Sequence, residues 1–379
     1  MSVEERASVR KGKTETNEIL ETFRGKRVLV TGHTGFKGSW LSIWLNELGA
    51  AVAGYSLPPY TPKDNYLVSK IGLRLKSYEG DLRDAAHLQR VFLEFRPEIV
   101  FHLAAQTRVM DGYNDPKYTF DVNIGGTVNL LECFKMFEFT KAMVVVTSDK
   151  CYDNKEWIWP YRENDRIGGY DPYSASKGAV ELVCSSYRDS FFNPSWYEKH
   201  GKCLSTARAG NVIGGGDWTP NQLVPDCIRA IENRRTIEIR NPLSTRPWQF
   251  VLEPLWGYLR LAAAMCADPV EYSGAWNFGP RIESVVPVET IANLIIRDYG
   301  RGQWEYLAVN GAIHEARSLS LDYSKAFLEL GWRPTLTLEE SVKMTVDWYT
   351  HYSNGEADML GFCLEQIQAF QNQITLNGH

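Results

Sequence analysis

The sequence predicts an α/β fold, a doubly wound parallel sheet with a smaller C-terminal lobe. Short apolar runs alternate with helix-length segments through the first half of the 379-residue chain. The central runs, such as Val28–Val30 and Met143–Val146, are apolar throughout rather than at every second residue, the mark of strands buried on both faces. After about Gly210 the alternation weakens, broken by Gly214-Gly215-Gly216 and several prolines. Right-handed crossovers between such strands leave ligands beyond the C-terminal strand ends.

The strand candidates, in order, are Arg27–Thr31, Ala51–Tyr55, Leu73–Tyr78, Ile99–Ala104, Met143–Ser148 and Cys203–Ala209. Between the first two, Gly38–Leu48 places Trp40, Leu41, Trp44, Leu45 and Leu48 on one helical stripe. Asp84–Phe95 and Gly125–Phe137 read the same way. Asp171-Pro172 is a helix start, since proline suits the first turn.

Composition narrows the function. A hydrophobic share of 44%, a charged share of 23% and a net charge of -5 suit a soluble enzyme and not a nucleic-acid binder. No apolar run approaches the roughly 18–20 residues of a membrane span. Seven scattered cysteines without a C-x-x-C pair argue for reduced thiols in the cytoplasm and against zinc or disulfides. His33, His102 and His314 have no metal-ligand spacing, so no metal is expected. Residues 1–23 mix acids with bases and read as an N-terminal extension rather than a signal or transit peptide.

Three motifs carry the chemistry. Gly32, Gly35 and Gly38, with Thr34, Phe36 and Lys37 between them, follow a strand and open an amphipathic helix. Small residues let the backbone approach a pyrophosphate, and the helix N-terminus offers free N–H groups. The alternative is a tight strand–helix turn that binds nothing. Tyr173 and Lys177 lie four apart on one helical face, where an ammonium beside a phenol favours phenolate, a base for an alcohol proton. Ser148, Asp149 and Lys150 close the apolar run at 143–146. At a strand end they point into the ligand crevice, where an acid and an amine can divide an elimination. The alternative there is a surface ion pair.

The G-x-x-G-x-x-G spacing resembles the extended short-chain dehydrogenase/reductase superfamily. Thr147–Trp157, Gly168–Pro172, Arg208–Trp218, Arg246–Gln249 and Trp276–Pro280 resemble the signatures of CDP-glucose 4,6-dehydratases over residues 24 to 350. Lysine at 150, where sister dehydratases usually carry glutamate, marks the CDP branch. The resemblance implies a Rossmann domain at 24–210 that binds NAD, with 249–276 returning to it, and a mostly substrate-binding lobe at 211–379. Asp81 and Leu82 would hold the adenine. Ala104, Ala105 and Gln106 would line the pyrophosphate and ribose, with Asn123, Tyr173 and Lys177 completing the cofactor contacts. Neither an acid nor an arginine stands at Gly54–Leu57, and the missing arginine favours NAD over NADP.

The resemblance further implies C4 oxidation with Tyr173 as base and Ser148 as its hydroxyl partner. C5/C6 elimination by Lys150 and Asp149 follows, then hydride return to C6. The product would be CDP-4-keto-6-deoxy-glucose and water. Asn211, Val224 and Arg246 match substrate positions, and the superfamily pairs helices into a homodimer or dimer of dimers. Gly112, Gln222 and Phe250 depart from the family pattern near the expected sugar and nucleotide site, so another sugar nucleotide is an alternative. A nucleotide-sugar 4-epimerase and a non-catalytic binding protein are the others.

Overall fold

The structure, a computed structural model, describes residues 19, 21–308, 318–355 and 358–376. His314, and residues 1–18 and 20 of the N-terminal extension, lie outside the described residues. The strands are β1 (Arg27–Thr31), β2 (Ala51–Ser56), β3 (Lys76–Glu79), β4 (Ile99–His102), β5 (Ala142–Val146) and β6 (Cys203–Ala209), then β7 (Asn211–Ile213), β8 (Ile237–Ile239), β9 (Thr245–Phe250), β10 (Gly274–Phe278), β11 (Val285–Pro287) and β12 (Trp304–Tyr306). The longer helices are α1 (Phe36–Glu47), α2 (Ala85–Phe95), α3 (Gly126–Met136), α4 (Pro172–Phe191), α5 (Leu223–Glu232), α6 (Leu252–Ala267), α7 (Val288–Tyr299), α8 (Leu338–Ser353) and α9 (Met359–Leu376).

Seven strands form one sheet in the order β10-β6-β5-β4-β1-β2-β3, with every neighbouring pair parallel. The direction of strand succession reverses between β1 and β4, which makes their C-terminal ends a crevice for ligands. Alternate residues serve opposite layers. Val28 and Val30 join the core under α1, α6 and α9, whereas Leu29 joins the one under α2, α3 and α4. The lobe adds two small sheets, β11-β9-β7 and β12-β8, which pack with α5, α7 and α8.

Several predicted boundaries move for physical reasons. Leu73 is 86% exposed in a 3₁₀ turn over Ile71–Arg74, and the edge strand begins only at Lys76. Helix α1 is buried over all of Gly38–Leu45 rather than along one stripe, because α9, from the far end of the chain, covers its outer side. Trp44 accordingly meets Trp256 of α6 and Phe370 of α9 at 6.1 and 6.0 Å between ring centroids. Ile19 and Phe23, inside the predicted extension, are buried, and the Phe23 ring lies 6.3 Å from that of Phe101. Among the described residues no helix is long and apolar enough to cross a membrane, and no cluster of ligands could hold a metal.

Candidate active site

A cleft of about 560 Å³ opens over the C-terminal ends of β1, β2, β4 and β5 and is closed by the lobe. Its floor is the glycine turn. A Cβ at Gly32 would fall 2.7 Å from Ala104 N, and one at Gly38 only 2.0 Å from Gly32 O. Both positions therefore exclude any side chain, and Gly32 also sits at φ +77°. Gly35 caps α1 without any side chain on the first N–H groups. A Cβ there would meet only Gly32 O, at 3.3 Å, so the space over the helix N-terminus stays open. Backbone donors, a positive dipole end and that open space fit a pyrophosphate.

Most of the predicted cofactor contacts border this floor. Thr34, Phe36 and Lys37, Asp81 and Leu82, and Ala104, Ala105 and Gln106 all line the cleft. Thr34 Oγ1 donates to Leu57 O at 2.9 Å, tying the turn to the end of β2. The Asp81 carboxylate is held by Arg83, at 2.7 Å from Nη2. Asn123 does not line the cleft. It is 2% exposed and clamps the Gln106 backbone in both directions, at 2.8 and 2.9 Å, while donating to Ser176 Oγ at 2.8 Å. Its amide shapes the wall from behind.

The reacting groups converge from β5 and α4. Ser148, Asp149, Lys150, Tyr173 and Lys177 all line one end of the cleft. Ser148 caps a 3₁₀ turn over Asp149–Cys151, which swings the next two side chains off the strand axis. Its Oγ donates to Asp149 Oδ1 at 2.9 Å and accepts from Lys150 N at 3.2 Å. Asp171 caps α4, accepting from Ser174 N at 3.0 Å, and so fixes the turn that carries Tyr173. The Lys150 ammonium lies 5.9 Å from the centre of the Tyr173 ring. Lys177 Nζ donates to Val146 O at 3.2 Å.

Burial governs the charges here. It pushes the Asp149 carboxyl up against the pull of Lys150, Ser148 and Lys37. It pushes the Tyr173 phenol well up, with the bond from Ser148 opposing and the Asp149 charge reinforcing. The phenolate expected from Lys177 is thus not what the ligand-free geometry favours. Burial lowers Lys177 to about 8, with Lys37 adding repulsion, and lowers Lys37 to about 8 against the attraction of Asp149. His33 and His102 are core residues, lowered by burial to about 4 and about 3.

The lobe closes the cleft with Asn211, Val224, Trp218, Trp248 and Gln222. Arg246 stands two residues before Trp248 on β9 but is not part of the cleft lining; its Nη1 donates to Thr245 O at 2.8 Å. Of the three departures, only Gln222 borders the cleft. Phe250 is a core residue, 6.3 Å from the Trp40 ring. Gly112 lets its short helix approach α4, since a Cβ there would be 3.3 Å from Tyr173 N.

A buried pair behind the site escaped the motif reading. Arg208 Nη2 donates to Glu181 Oε2 at 2.8 Å, and Thr147 and Thr206 bond the same carboxylate at 2.5 and 2.7 Å. Its signal was available: a lone arginine inside an otherwise uncharged buried strand, and an acid one helical turn beyond Lys177.

The chain matches the family model described as GDP-mannose 4,6 dehydratase over residues 29–267. It is 48% identical over 353 residues to the CDP-glucose 4,6-dehydratase of Salmonella typhimurium, covering 93% of this chain and 98% of that protein. A UDP-glucuronate 4-epimerase of Arabidopsis thaliana is 28% identical, covering 89% of this chain and 79% of that protein. Among solved structures, dTDP-glucose 4,6-dehydratase from Streptomyces venezuelae, with NAD and TYD bound, shares the fold at a TM-score of 0.74 and 22% identity, covering 88% of this chain and 99% of that one.

Proposed function

Because this chain belongs to the GDP-mannose 4,6 dehydratase family, we propose that it is a nucleotide-sugar 4,6-dehydratase that uses NAD and converts CDP-glucose to CDP-4-keto-6-deoxy-glucose and water. The observation that carries the elimination is the pair Asp149 and Lys150, set on a capped turn beside Ser148 and across from Tyr173. A 4-epimerase, which returns hydrogen to the carbon it came from, has no use for such a pair.

NAD would lie on the Gly32–Gly38 turn, between Thr34, Asp81, Leu82, Ala104, Ala105 and Gln106, with Lys177 beneath its reacting end. Bound there, it supplies a two-electron acceptor for sugar C4 and the donor for C6. The chain's own residues handle protons. Tyr173 Oη takes the O4 proton, with Ser148 Oγ holding the hydroxyl, and a phenol pushed up by burial becomes a strong base once ionised. Oxidation at C4 acidifies the C5 proton, which the neutral amine of Lys150 removes and then returns to C5 as C6 is reduced. Asp149, its carboxyl raised by burial, gives its proton to the C6 hydroxyl, which leaves as water. Asn211, Val224 and Arg246 are assigned to the nucleotide side of the substrate.

The seven free cysteines suit a reducing, cytoplasmic compartment. Exposed Leu182 and Phe191 on α4 and Met136 on α3 suit helix pairing in a homodimer, which a monomer mass by light scattering would overturn. The function is tested by NMR of the products formed from CDP-glucose by the purified protein. Formation of the 4-keto-6-deoxy sugar is expected; recovery of a C4 epimer instead would reassign it.

A further inference from the structure

The loops that follow β2 and β4 touch each other, and the strand order makes that contact informative. β1 lies between β2 and β4 in the sheet. A side-chain bridge between the loops at their C-terminal ends must therefore cross above the turn that follows β1, which is the glycine turn. Tyr60 and Arg108 build such a bridge. Arg108 Nη1 donates to Tyr60 Oη at 3.2 Å, and the guanidinium lies 4.9 Å from the centre of the Tyr60 ring. Both residues line the cleft, and Tyr60 is 64% exposed, so the bridge forms its outer edge and not part of the core.

Both roots of the bridge are fixed. Thr61 donates to the Asp64 carboxylate from N and Oγ1 at 2.9 and 2.7 Å, which shapes the loop beside Tyr60. Gln106 Nε2 donates to Arg108 O at 2.8 Å, and Asp111 pairs with the Arg108 guanidinium. Between these roots the closure itself is one hydrogen bond and one cation–π contact, enough to slow escape and weak enough to open.

We propose that Tyr60 and Arg108 form a clasp that closes over the glycine turn and retains the dinucleotide between the two redox steps. The proposal rests on the dehydratase reading. In a redox-neutral cycle the reduced cofactor made at C4 must stay until C6 is reduced, so slow release protects the intermediate from being stranded.

The test is the rate at which NADH leaves the protein, followed by its fluorescence after a chase with excess NAD+. Tyr60→Ala and Arg108→Ala are each expected to speed release about tenfold, the scale of one such contact. The double variant is expected to be no faster than either single, because both remove the same contact. Tyr60→Phe, which keeps the ring face, is expected to retain most of the slow release. A residue with only a structural role would shift the melting temperature and leave the release rate alone. Single variants within twofold of the unmodified rate, or a double variant equal to the product of the singles, would overturn the clasp. If the unmodified protein binds neither NADH nor NAD+, the dehydratase reading falls and takes the clasp with it.

Discussion

Two carboxylates flank the end of β5, both nearly sealed from solvent, and their environments are opposite. Glu181, 5% exposed, accepts from Arg208, Thr147 and Thr206. Burial alone would raise its carboxyl, but Arg208 and the two hydroxyls outweigh that and hold it below its ordinary value of 4.5. Asp149, 3% exposed, has one side-chain donor, Ser148, and burial wins, so its carboxyl is raised. One acid is fully satisfied and serves the fold. The other is left underserved beside a cleft, where a held proton is available for transfer. Satisfaction, rather than burial, separates the structural charge from the one proposed to be catalytic.

The largest effect expected from this contrast is on chemistry. Asp149→Asn keeps the shape of the site and removes the proposed acid. Formation of the 4-keto-6-deoxy sugar is expected to fall roughly 10³-fold, within the range for losing a general acid. Exchange of the C5 proton with deuterated solvent, read by NMR, should persist because Lys150 remains. Activity within threefold of the unmodified enzyme would end the assignment of Asp149 as the acid.

The same change at the other acid is expected to act on the fold. Glu181→Gln leaves a buried arginine without its counter-charge, which costs about 3–5 kcal/mol. Denaturant unfolding at pH 7 measures it. Glu181 is depressed in the folded state, so its contribution is complete above its ordinary value of 4.5 and is lost as the pH falls through the folded value. The gap between the two proteins should therefore narrow on acidification. A variant as stable as the original at pH 7 would show that the pair holds nothing in place.

Much of the candidate site was legible because its motifs are local. A glycine turn after a strand, a turn at a strand end and two residues four apart on a helix each fix their own geometry. What stayed hidden depends on partners distant in sequence. Nothing near Gly38–Leu48 says that α9 covers its outer side, so the stripe expected there became a helix buried all round. Asn123 lies where a cofactor contact is expected, yet its amide is consumed by Gln106 and Ser176. Phe250, expected near the sugar and nucleotide site, is core packing against Trp40. Tyr60 and Arg108, 48 residues apart, meet only across the turn that follows β1, whose strand lies between theirs.

The smallest expected effect is also the most discriminating, because it reverses sign between the two acids. Asp149 is raised in the folded state, so between its ordinary value of 3.8 and the folded value the folded protein binds the extra proton. Stability therefore falls as the pH rises through that window, so at pH 7 burying this carboxyl is a net cost. Asp149→Asn removes that cost and should stabilise the protein at pH 7 by about 0.5–2 kcal/mol, the usual gain on relieving a functional site. Below 3.8 both forms are neutral and the gain should vanish. Unfolding curves at neutral and acid pH would show Asp149→Asn gaining stability where Glu181→Gln loses it. If Asp149→Asn is instead destabilising at pH 7, Asp149 is a structural charge like Glu181, and the proton it is proposed to deliver must come from elsewhere in the cleft.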